Sequence, residues 1–256
     1  MTIGFSLTHS CNFQCRHCLV SSTLEKNIAS DEVINRFYEI VRYNKPDTIC
    51  IVGGEPLLFI DKVEEIVNNV KNICNNIIIF SNGTFLLDEV KRERVKNLKV
   101  EVRISKTEFH KEFWNNEIQN LIDTSPYWKI EGLNREIVVF PRGRALKNKI
   151  YKNYSCPCSL VTREYNKFYH SNRILIMQDG SVNIWCPCMS LELANVFIDD
   201  IITHDLLVFR ENLLREFLIE NNLLKSDMLF MCNEICNNFK VTKNGIYKNN
   251  VLVKIF

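Results

Sequence analysis

Two hydrophobic periods alternate along the first half of the chain. Short, nearly continuous apolar runs are followed by stretches in which apolar residues recur every three to four positions, a succession typical of buried strands followed by amphipathic helices. Such strands and helices in alternation favour parallel βαβ units whose sheet is covered by helices. The predicted strands are Ile3 to Leu7, "DTICIVGG", "NIIIFSNG" and "KVEVRIS", and the predicted helices run from Asp31 to about Tyr43, Asp61 to Cys74, Leu86 to Leu98 and Glu112 to Ile122.

The pattern changes after Pro126. "REIVVFP" predicts one further strand and "WKIEG" a weaker one, whereas "RILIMQDGSVNIWC" predicts two strands joined by a turn at Asp179-Gly180. Helical periodicity returns between Asp205 and Leu224, and Asn244-Gly245 is a second hairpin signal. We therefore predict a strand–helix domain over residues 1–146 and a smaller module over residues 147–256.

Composition excludes several classes of partner. The chain has 256 residues and 46% hydrophobic content, which suits one large domain or a domain with a small appendage. Its 32 basic residues nearly balance 30 acidic ones, so bulk charge does not favour nucleic acid or a membrane surface. No apolar stretch of about 20 residues is present, and the start of the chain is too short for a secretory segment. We expect a cytoplasmic protein.

Eleven cysteines are the most unusual feature of the composition. An odd number favours metal or redox ligation in a reducing compartment over a complete disulfide framework. Cys50 lies in an apolar run and Cys74 ends a helical pattern, so both are expected to pack as small hydrophobes. The others form one triplet, Cys11, Cys15 and Cys18, and three pairs, Cys156 with Cys158, Cys186 with Cys188, and Cys232 with Cys236.

The triplet follows the first predicted strand. Thiolates bind zinc or iron–sulfur clusters, and structural zinc needs four ligands where this loop supplies three. One iron of a four-iron cluster would then lack a protein ligand. His17 could complete a zinc site, but adjacent residues such as His17 and Cys18 rarely point to one tetrahedral centre. The spacing favours a cluster over zinc.

A second motif, Gly53-Gly54-Glu55-Pro56, follows the second predicted strand. In parallel sheets the carboxyl ends of the strands share one edge, where ligands gather. The glycines allow close approach of a ligand to the backbone, and the Glu55 carboxylate could accept hydrogen bonds from an ammonium group. The alternative is that these four residues form only a tight turn.

Together these motifs resemble those of the radical S-adenosylmethionine (radical SAM) enzymes. The family has C-x3-C-x2-C after its first strand, with an aromatic residue, here His17, before the third cysteine, and a Gly-Gly-Glu motif closing its second strand. A third strand ending in Ser81-Asn82-Gly83 and a fourth ending in Ser105 are also similar. The resemblance covers about residues 3–144 and implies an α/β fold, a partial (β/α)5-6 TIM-type barrel, with a small cysteine-rich C-terminal module.

The resemblance implies a cofactor set and a reaction. Cys11, Cys15 and Cys18 would bind a 4Fe-4S cluster whose open iron is chelated by S-adenosylmethionine. An electron from a donor such as flavodoxin or ferredoxin would cleave the sulfonium carbon–sulfur bond, and the 5′-deoxyadenosyl radical would abstract hydrogen from a substrate. The implied S-adenosylmethionine contacts are Gly53, Gly54 and Glu55 for the ammonium group, Ser81, Asn82 and Ser105 for the ribose or carboxylate, and His17 beside the cluster.

The C-terminal module resembles the SPASM or twitch modules of peptide-modifying radical SAM enzymes. "PRGRA" and "QDGSVNIWC" are similar to the entry segment and to the hairpin of those modules. Six cysteines suit one auxiliary 4Fe-4S cluster, with zinc and free thiols as alternatives. The favoured ligands are Cys158, Cys186, Cys232 and Cys236, with Cys156 and Cys188 as possible substitutes.

The expected substrate is a ribosomally made precursor peptide that receives a crosslink, a thioether or an epimerised residue. The chain begins at its first strand, so leader recognition is expected to need a separate protein. The alternatives are a small-molecule substrate such as a nucleoside, sugar or cofactor precursor, activation of a glycyl-radical enzyme, and a metal-binding protein without catalysis. His110 is expected at a solvated helix start, and Arg142 and Arg144 in a basic surface loop.

Overall fold

Strands and helices alternate through the first half of the protein, as the hydrophobic pattern predicts. The computed structural model describes residues 1–110, 113–132, 143–149, 173–184, 192–197, 239–242, 245–248 and 251–254. Strand β5, predicted only weakly, is present. In chain order the elements are β1 Thr2–Thr8, α1 Asp31–Asn44, β2 Thr48–Gly53, α2 Ile60–Val70, β3 Asn76–Ser81, α3 Glu89–Asn97, β4 Glu101–Ser105, α4 Asn116–Ile122 and β5 Trp128–Glu131.

These five strands form a parallel sheet in the order β5-β4-β3-β2-β1. Each neighbour in space is a neighbour in sequence, and helices connect them, which is the arrangement of a partial α/β barrel. All five carboxyl ends therefore lie at one edge of the sheet. The cysteine loop, the Gly-Gly-Glu motif, Ser81 and Ser105 follow four of these ends, so the topology brings the predicted site residues together.

The predicted hairpin at Asp179-Gly180 continues this sheet. Strand β6 (Arg173–Ile176) pairs parallel with β1, and β7 (Ser181–Ile184) and β8 (Glu192–Asn195) add antiparallel beyond it. The Asp179 carboxylate accepts hydrogen bonds from the backbone and hydroxyl of Ser181, and Gly180 adopts φ +83°, as tight turns require. The sequence suggested a separate module here, whereas the hairpin extends the sheet on the free side of β1.

The remaining described elements are short. Helix α5 spans Gly143–Lys147, and the antiparallel strands β9 (Phe239–Thr242), β10 (Gly245–Lys248) and β11 (Val251–Lys254) form a second sheet. The β9–β10 pair confirms the hairpin predicted at Asn244-Gly245. The predicted strand "REIVVFP", the predicted helix at 205–224, the three C-terminal cysteine pairs and Arg142 lie outside the described residues.

The core lies between the sheet and its helices. Ile3, Phe5 and Leu7 point from β1 into it, and the ring of Phe5 stacks on that of Phe37 with centroids 4.4 Å apart. Helix α1 begins where predicted because the Ser30 hydroxyl accepts a hydrogen bond from the Val33 amide. Cys50 and Cys74 are buried, as expected of small hydrophobes. None of the helices in the described ranges is both long and apolar enough to cross a bilayer.

Helix α4 begins four residues later than predicted. The Asn115 side chain accepts a hydrogen bond from the Ile118 amide at 2.9 Å and caps the helix there. Before it, Glu108–His110 form one turn of 3₁₀ helix. The apolar spacing continues back through this segment, so periodicity alone could not separate the turn from the helix.

Candidate cofactor site

The cysteine loop leaves the carboxyl end of β1 and is held by its own returning segment. The His9 amide donates to the Asn27 carbonyl at 2.9 Å, and the Cys11 amide donates to the Thr23 carbonyl at 2.7 Å. The Ala29 amide then bonds to the Leu7 carbonyl at 2.8 Å. These bonds close the loop before α1 begins, so the spacing of its three thiols is fixed by backbone contacts.

The three thiols lie among hydrogen-bond donors. The Phe13 amide and the Asn82 side-chain amide point to the Cys11 sulfur at 3.3 and 3.7 Å, and the Ser22 amide points to the Cys18 sulfur at 3.3 Å. Burial raises the pKa of Cys11 to about 11 and also raises the pKa of Cys15. These thiols therefore ionise readily only beside a bound cation, as thiolate ligands of a metal do.

The donor set does not suit a single metal ion. Across the described ranges, no three His, Cys, Asp or Glu side chains are grouped so that they could hold one ion. The zinc alternative, in which His17 joins the triplet, therefore gains no support. The His17 ring stacks on Phe109 with centroids 4.0 Å apart, and burial lowers its pKa to about 4. In a four-iron cluster each thiolate binds a different iron, so the sulfurs need not converge.

Gly53 and Gly54 lie directly against the backbone of the cysteine loop. A Cβ on Gly53 would stand 2.3 Å from the Thr8 carbonyl oxygen, and one on Gly54 would stand 2.2 Å from that of Ser10. The Gly54 amide donates to Thr8 and the Glu55 amide to Ser10, at 2.6 and 2.8 Å. Only glycine permits this approach, so the motif joins the end of β2 to the loop rather than forming a mere tight turn.

The Glu55 carboxylate braces the ends of β2 and β3. Its side chain is buried, with the residue 1% exposed. One oxygen accepts hydrogen bonds from the Leu57 amide and the Ser81 hydroxyl, both at 3.0 Å, and the other accepts from the Asn82 amide at 2.6 Å. Burial raises the Glu55 pKa to about 7, against the opposing effect of these donors. Protein donors thus occupy the carboxylate that the sequence assigned to a ligand's ammonium group.

We expect Glu55→Gln to lower the free energy of unfolding by about 1–3 kcal/mol. A carboxamide has one acceptor oxygen where the carboxylate has two, so its NH₂ group must face one of the three donors. Urea unfolding followed by circular dichroism measures the change. Glu25→Gln is the matched control, because Glu25 is exposed. Equal stability of Glu55→Gln and the wild type would contradict this bracing role.

One cavity of about 350 Å³ collects most of the predicted site residues. The volume lies in the range of small-molecule sites. Glu55 is not part of its lining and stands behind it. The lining includes the predicted residues Cys11, Cys15, Cys18, His17, Gly53, Gly54, Ser81, Asn82 and Ser105, together with Phe13, Ser22, His110, Arg144 and Met177, which the sequence did not assign to a site.

Arg144 fastens α5 to the cysteine loop, so its expected place in a surface loop is wrong. Its amide donates to the Cys18 carbonyl and its Nε to the Cys15 carbonyl, both at 2.9 Å, and its Nη1 donates to the Ser22 carbonyl. The guanidinium thereby holds two turns of the loop at once. No sequence pattern marks this contact, which joins residues more than 100 positions apart.

His110 is the second residue whose expected environment is wrong. It is 7% exposed, and its Nε2 lies 3.6 Å from the Cys15 sulfur. The signal for this was its place five residues after Ser105, at the same sheet edge as the cysteine loop. The solvated reading failed because the Glu108–His110 turn directs the ring inward, between Phe13 and His17.

The cavity lining fits a bound polar group. Ser22 Oγ, His17 Nδ1 and Arg144 Nη2 are buried and have no hydrogen-bond partner within the described part of the chain. Buried polar atoms are usually paired, so these three atoms offer contacts for a ligand. Beside them, the glycine pair leaves backbone accessible from the cavity. The thiols, the glycines and these polar atoms together match the needs of a cluster with a polar organic ligand.

Known proteins share parts of this chain. Residues 4–121 match the family described as a 4Fe-4S single cluster domain. A Methanocaldococcus jannaschii protein whose name assigns it, provisionally, to the glycyl-radical enzyme activating enzymes is 30% identical over 97 residues, 38% of each chain. The Bacillus subtilis protein YfkA is 36% identical over 69 residues, 25% of this chain and 18% of its own. Both curated relatives are thus matched over less than half of their length.

Solved structures show the same fold at low identity. BtrN in complex with AdoMet and 2-DOIA has a TM-score of 0.51 and 19% identity, over 83% of this chain and 86% of that one. The enzyme anSMEcpe with bound AdoMet has a TM-score of 0.51 and 16% identity, over 83% and 82%. The matched cluster-domain family, the cysteine and Gly-Gly-Glu motifs at adjacent strand ends, and this fold support placing the chain in the radical S-adenosylmethionine superfamily.

Proposed function

We propose that this protein is a radical SAM enzyme that cleaves S-adenosylmethionine reductively and abstracts hydrogen from a substrate. The observation that carries the proposal is the single cavity at the carboxyl ends of the strands, where three thiols face a glycine pair and the polar ends of β3 and β4. Cys11, Cys15 and Cys18 would hold a 4Fe-4S cluster, which leaves one iron without a protein ligand.

The chain's own residues position and shield the cofactors. When bound, the cluster supplies the electron and S-adenosylmethionine supplies the radical group, as cofactors generally carry such chemistry. Backbone at Gly53-Gly54 and the side chains of Ser81, Asn82 and Ser105 would hold the methionine and ribose ends. Glu55 acts through Asn82, whose amide it fixes at 2.6 Å. Phe13 and Met177 add apolar walls that limit the entry of water.

The proposed substrate is a ribosomally made peptide. Support comes from the "QDGSVNIWC" hairpin, which resembles that of the SPASM and twitch modules. This hairpin lies beside β1, so that Met177, just after β6, reaches the cavity wall. The proposed auxiliary 4Fe-4S cluster would use Cys158, Cys186, Cys232 and Cys236, which lie outside the described residues. A cytoplasmic location, a flavodoxin or ferredoxin as electron donor and a separate leader-binding protein complete the proposal.

Activation of a glycyl-radical enzyme is a second candidate. The relative from M. jannaschii carries that name and is 30% identical over 97 residues that include the cysteine loop's half of the chain. Both candidates require a polypeptide to enter the cavity and lose hydrogen from carbon. They differ in product: a modified peptide of altered mass in the first case, and a stable glycyl radical on a partner enzyme in the second.

The first experiment asks whether the reaction occurs at all. Protein reconstituted anaerobically with iron and sulfide and reduced with dithionite is incubated with S-adenosylmethionine, and 5′-deoxyadenosine is quantified by mass spectrometry. We expect 5′-deoxyadenosine to form in proportion to bound iron. Cluster-replete protein that forms none would contradict the proposal. Adding a peptide encoded beside the enzyme's own gene then tests the substrate class through a change in that peptide's mass.

A further inference from the structure

Three side chains form a hydrogen-bonded line that ends on a cluster thiol. The Thr107 hydroxyl lies 2.7 Å from His110 Nδ1, and His110 Nε2 lies 3.6 Å from the Cys15 sulfur. The Thr107 oxygen also accepts a hydrogen bond from the Phe109 amide at 3.2 Å. Thr107 follows β4 directly, so the line starts on the rigid sheet and reaches the loop that carries the triplet.

The direction of each hydrogen bond follows from the chemistry of its two ends. A thiolate that binds iron accepts hydrogen bonds and donates none, so the Nε2 that faces it must carry a proton. In the neutral ring, Nδ1 is then an acceptor, and the Thr107 hydroxyl can donate to it while still accepting from Phe109. A doubly protonated ring presents the same Nε2–H to the sulfur. The donor to Cys15 is therefore the same in both ring states.

The surroundings strengthen this contact. His110 is buried, the Phe13 ring lies 5.7 Å from it and the His17 ring 5.8 Å, centroid to centroid. Apolar and aromatic neighbours lower the local dielectric, and a hydrogen bond to a charged acceptor is stronger there than in water. The Cys11 and Cys18 sulfurs receive backbone donors, whereas Cys15 receives this side chain. The donor to Cys15 can therefore be removed by substitution without changing the loop backbone.

We propose that His110 raises the reduction potential of the cluster by donating Nε2–H to the Cys15 thiolate, and that Thr107 is the positioning residue that orients the ring. The inference rests on the proposed cluster at Cys11, Cys15 and Cys18. Reduction adds one electron, supplied by an external donor, and no proton moves. Because the reduced cluster places more negative charge on its sulfurs, a hydrogen bond to one of them stabilises the reduced form more than the oxidised form.

Substitution of His110 tests the inference directly. His110→Phe keeps a ring of similar size among aromatic neighbours and removes the N–H group. In an EPR-monitored redox titration without S-adenosylmethionine, we expect the ratio of reduced to oxidised cluster at a fixed solution potential to fall about tenfold, which is about 59 mV for a one-electron couple. His110→Gln, which keeps an N–H donor, should lie between His110→Phe and the wild type.

Thr107 provides a variant that leaves the imidazole in place. Thr107→Val keeps the shape of the side chain and removes the hydroxyl that fixes the ring, so the potential should fall in the same direction by a smaller amount. Thr124→Val is the matched control, because the Thr124 hydroxyl bonds to a backbone carbonyl three residues away at the exposed end of α4. Its potential should equal that of the wild type.

A spectroscopic signature separates hydrogen bonding from a general structural effect. In protein labelled with ¹⁵N-histidine, pulsed EPR of the reduced cluster should show a weak nitrogen coupling that His110→Phe removes. Wild-type potentials in His110→Phe and Thr107→Val at full iron content, or an unchanged coupling in His110→Phe, would overturn the inference. Either result leaves the proposed function standing if the wild type still forms 5′-deoxyadenosine. A wild type that binds no cluster refutes both.

Discussion

Cys15→Ala is expected to abolish S-adenosylmethionine cleavage, with 5′-deoxyadenosine formation reduced by at least about 10³-fold, a barrier increase of roughly 4 kcal/mol. The substitution leaves two thiolates in the loop, too few to hold a four-iron cluster in place. It also removes the acceptor that faces His110 Nε2 at 3.6 Å. Iron and sulfide analysis of the reconstituted variant, followed by the cleavage assay under dithionite, measures both losses.

Cys74→Ala is the control for this variant. Cys74 is buried and bonds to the Asn76 carbonyl near the start of β3, at the sheet edge opposite the cysteine loop. It removes one thiol of the same chain without touching the cavity. This variant should keep its iron content and its rate of cleavage per cluster. Wild-type turnover in Cys15→Ala, with Cys74→Ala equally active, would show that the triplet does not hold the reacting cluster.

Gly54→Ala is expected to weaken S-adenosylmethionine binding by about tenfold or more, a loss of roughly 1.4 kcal/mol or greater. The added Cβ would stand 2.2 Å from the Ser10 carbonyl oxygen and 2.7 Å from its carbon. Since both atoms belong to the backbone, the end of β2 and the cysteine loop must move apart. That movement breaks the hydrogen bonds from Gly54 to Thr8 and from Glu55 to Ser10. Isothermal titration of cluster-replete protein with S-adenosylmethionine measures the affinity.

Two further variants isolate the cause. Gly132→Ala changes a glycine at φ +96°, at the end of β5 and outside the cavity lining, so it should cost stability yet keep cofactor affinity. Ser22→Ala combined with Gly54→Ala removes only the hydroxyl 2.9 Å from the new Cβ and leaves the backbone clash, so affinity should stay low. Wild-type affinity in Gly54→Ala would contradict the packing of this motif against the loop.

The barrel was predictable because its signals are local. Apolar runs such as "NIIIF" and amphipathic stretches such as α1 are read from neighbouring residues, and the order of strands follows from the rule for parallel units. The same rule placed the cysteine loop and the glycine pair at one edge. One cavity with nine of the predicted residues in its lining follows from that topology.

The features that the sequence did not predict depend on long-range contacts or on side-chain direction. Nothing in "RILIMQDG" distinguishes a hairpin of a separate module from one that pairs with β1, because pairing depends on a partner 170 residues away. Arg144 and His110 have no periodic signal, and their burial comes from contacts with the cysteine loop. The direction of the Glu55 carboxylate is set by donors on β3, which a single motif cannot reveal.

The central claim is that the three cysteines hold a four-iron cluster with one iron free to bind S-adenosylmethionine. Mössbauer spectroscopy of a variant with all six C-terminal pair cysteines replaced by alanine, reconstituted with ⁵⁷Fe, tests it most directly. The account predicts a 4Fe-4S spectrum in which one iron site changes its isomer shift when S-adenosylmethionine is added, while the other three stay the same. A spectrum without a four-iron cluster, or one in which no iron site responds to S-adenosylmethionine, would contradict the account.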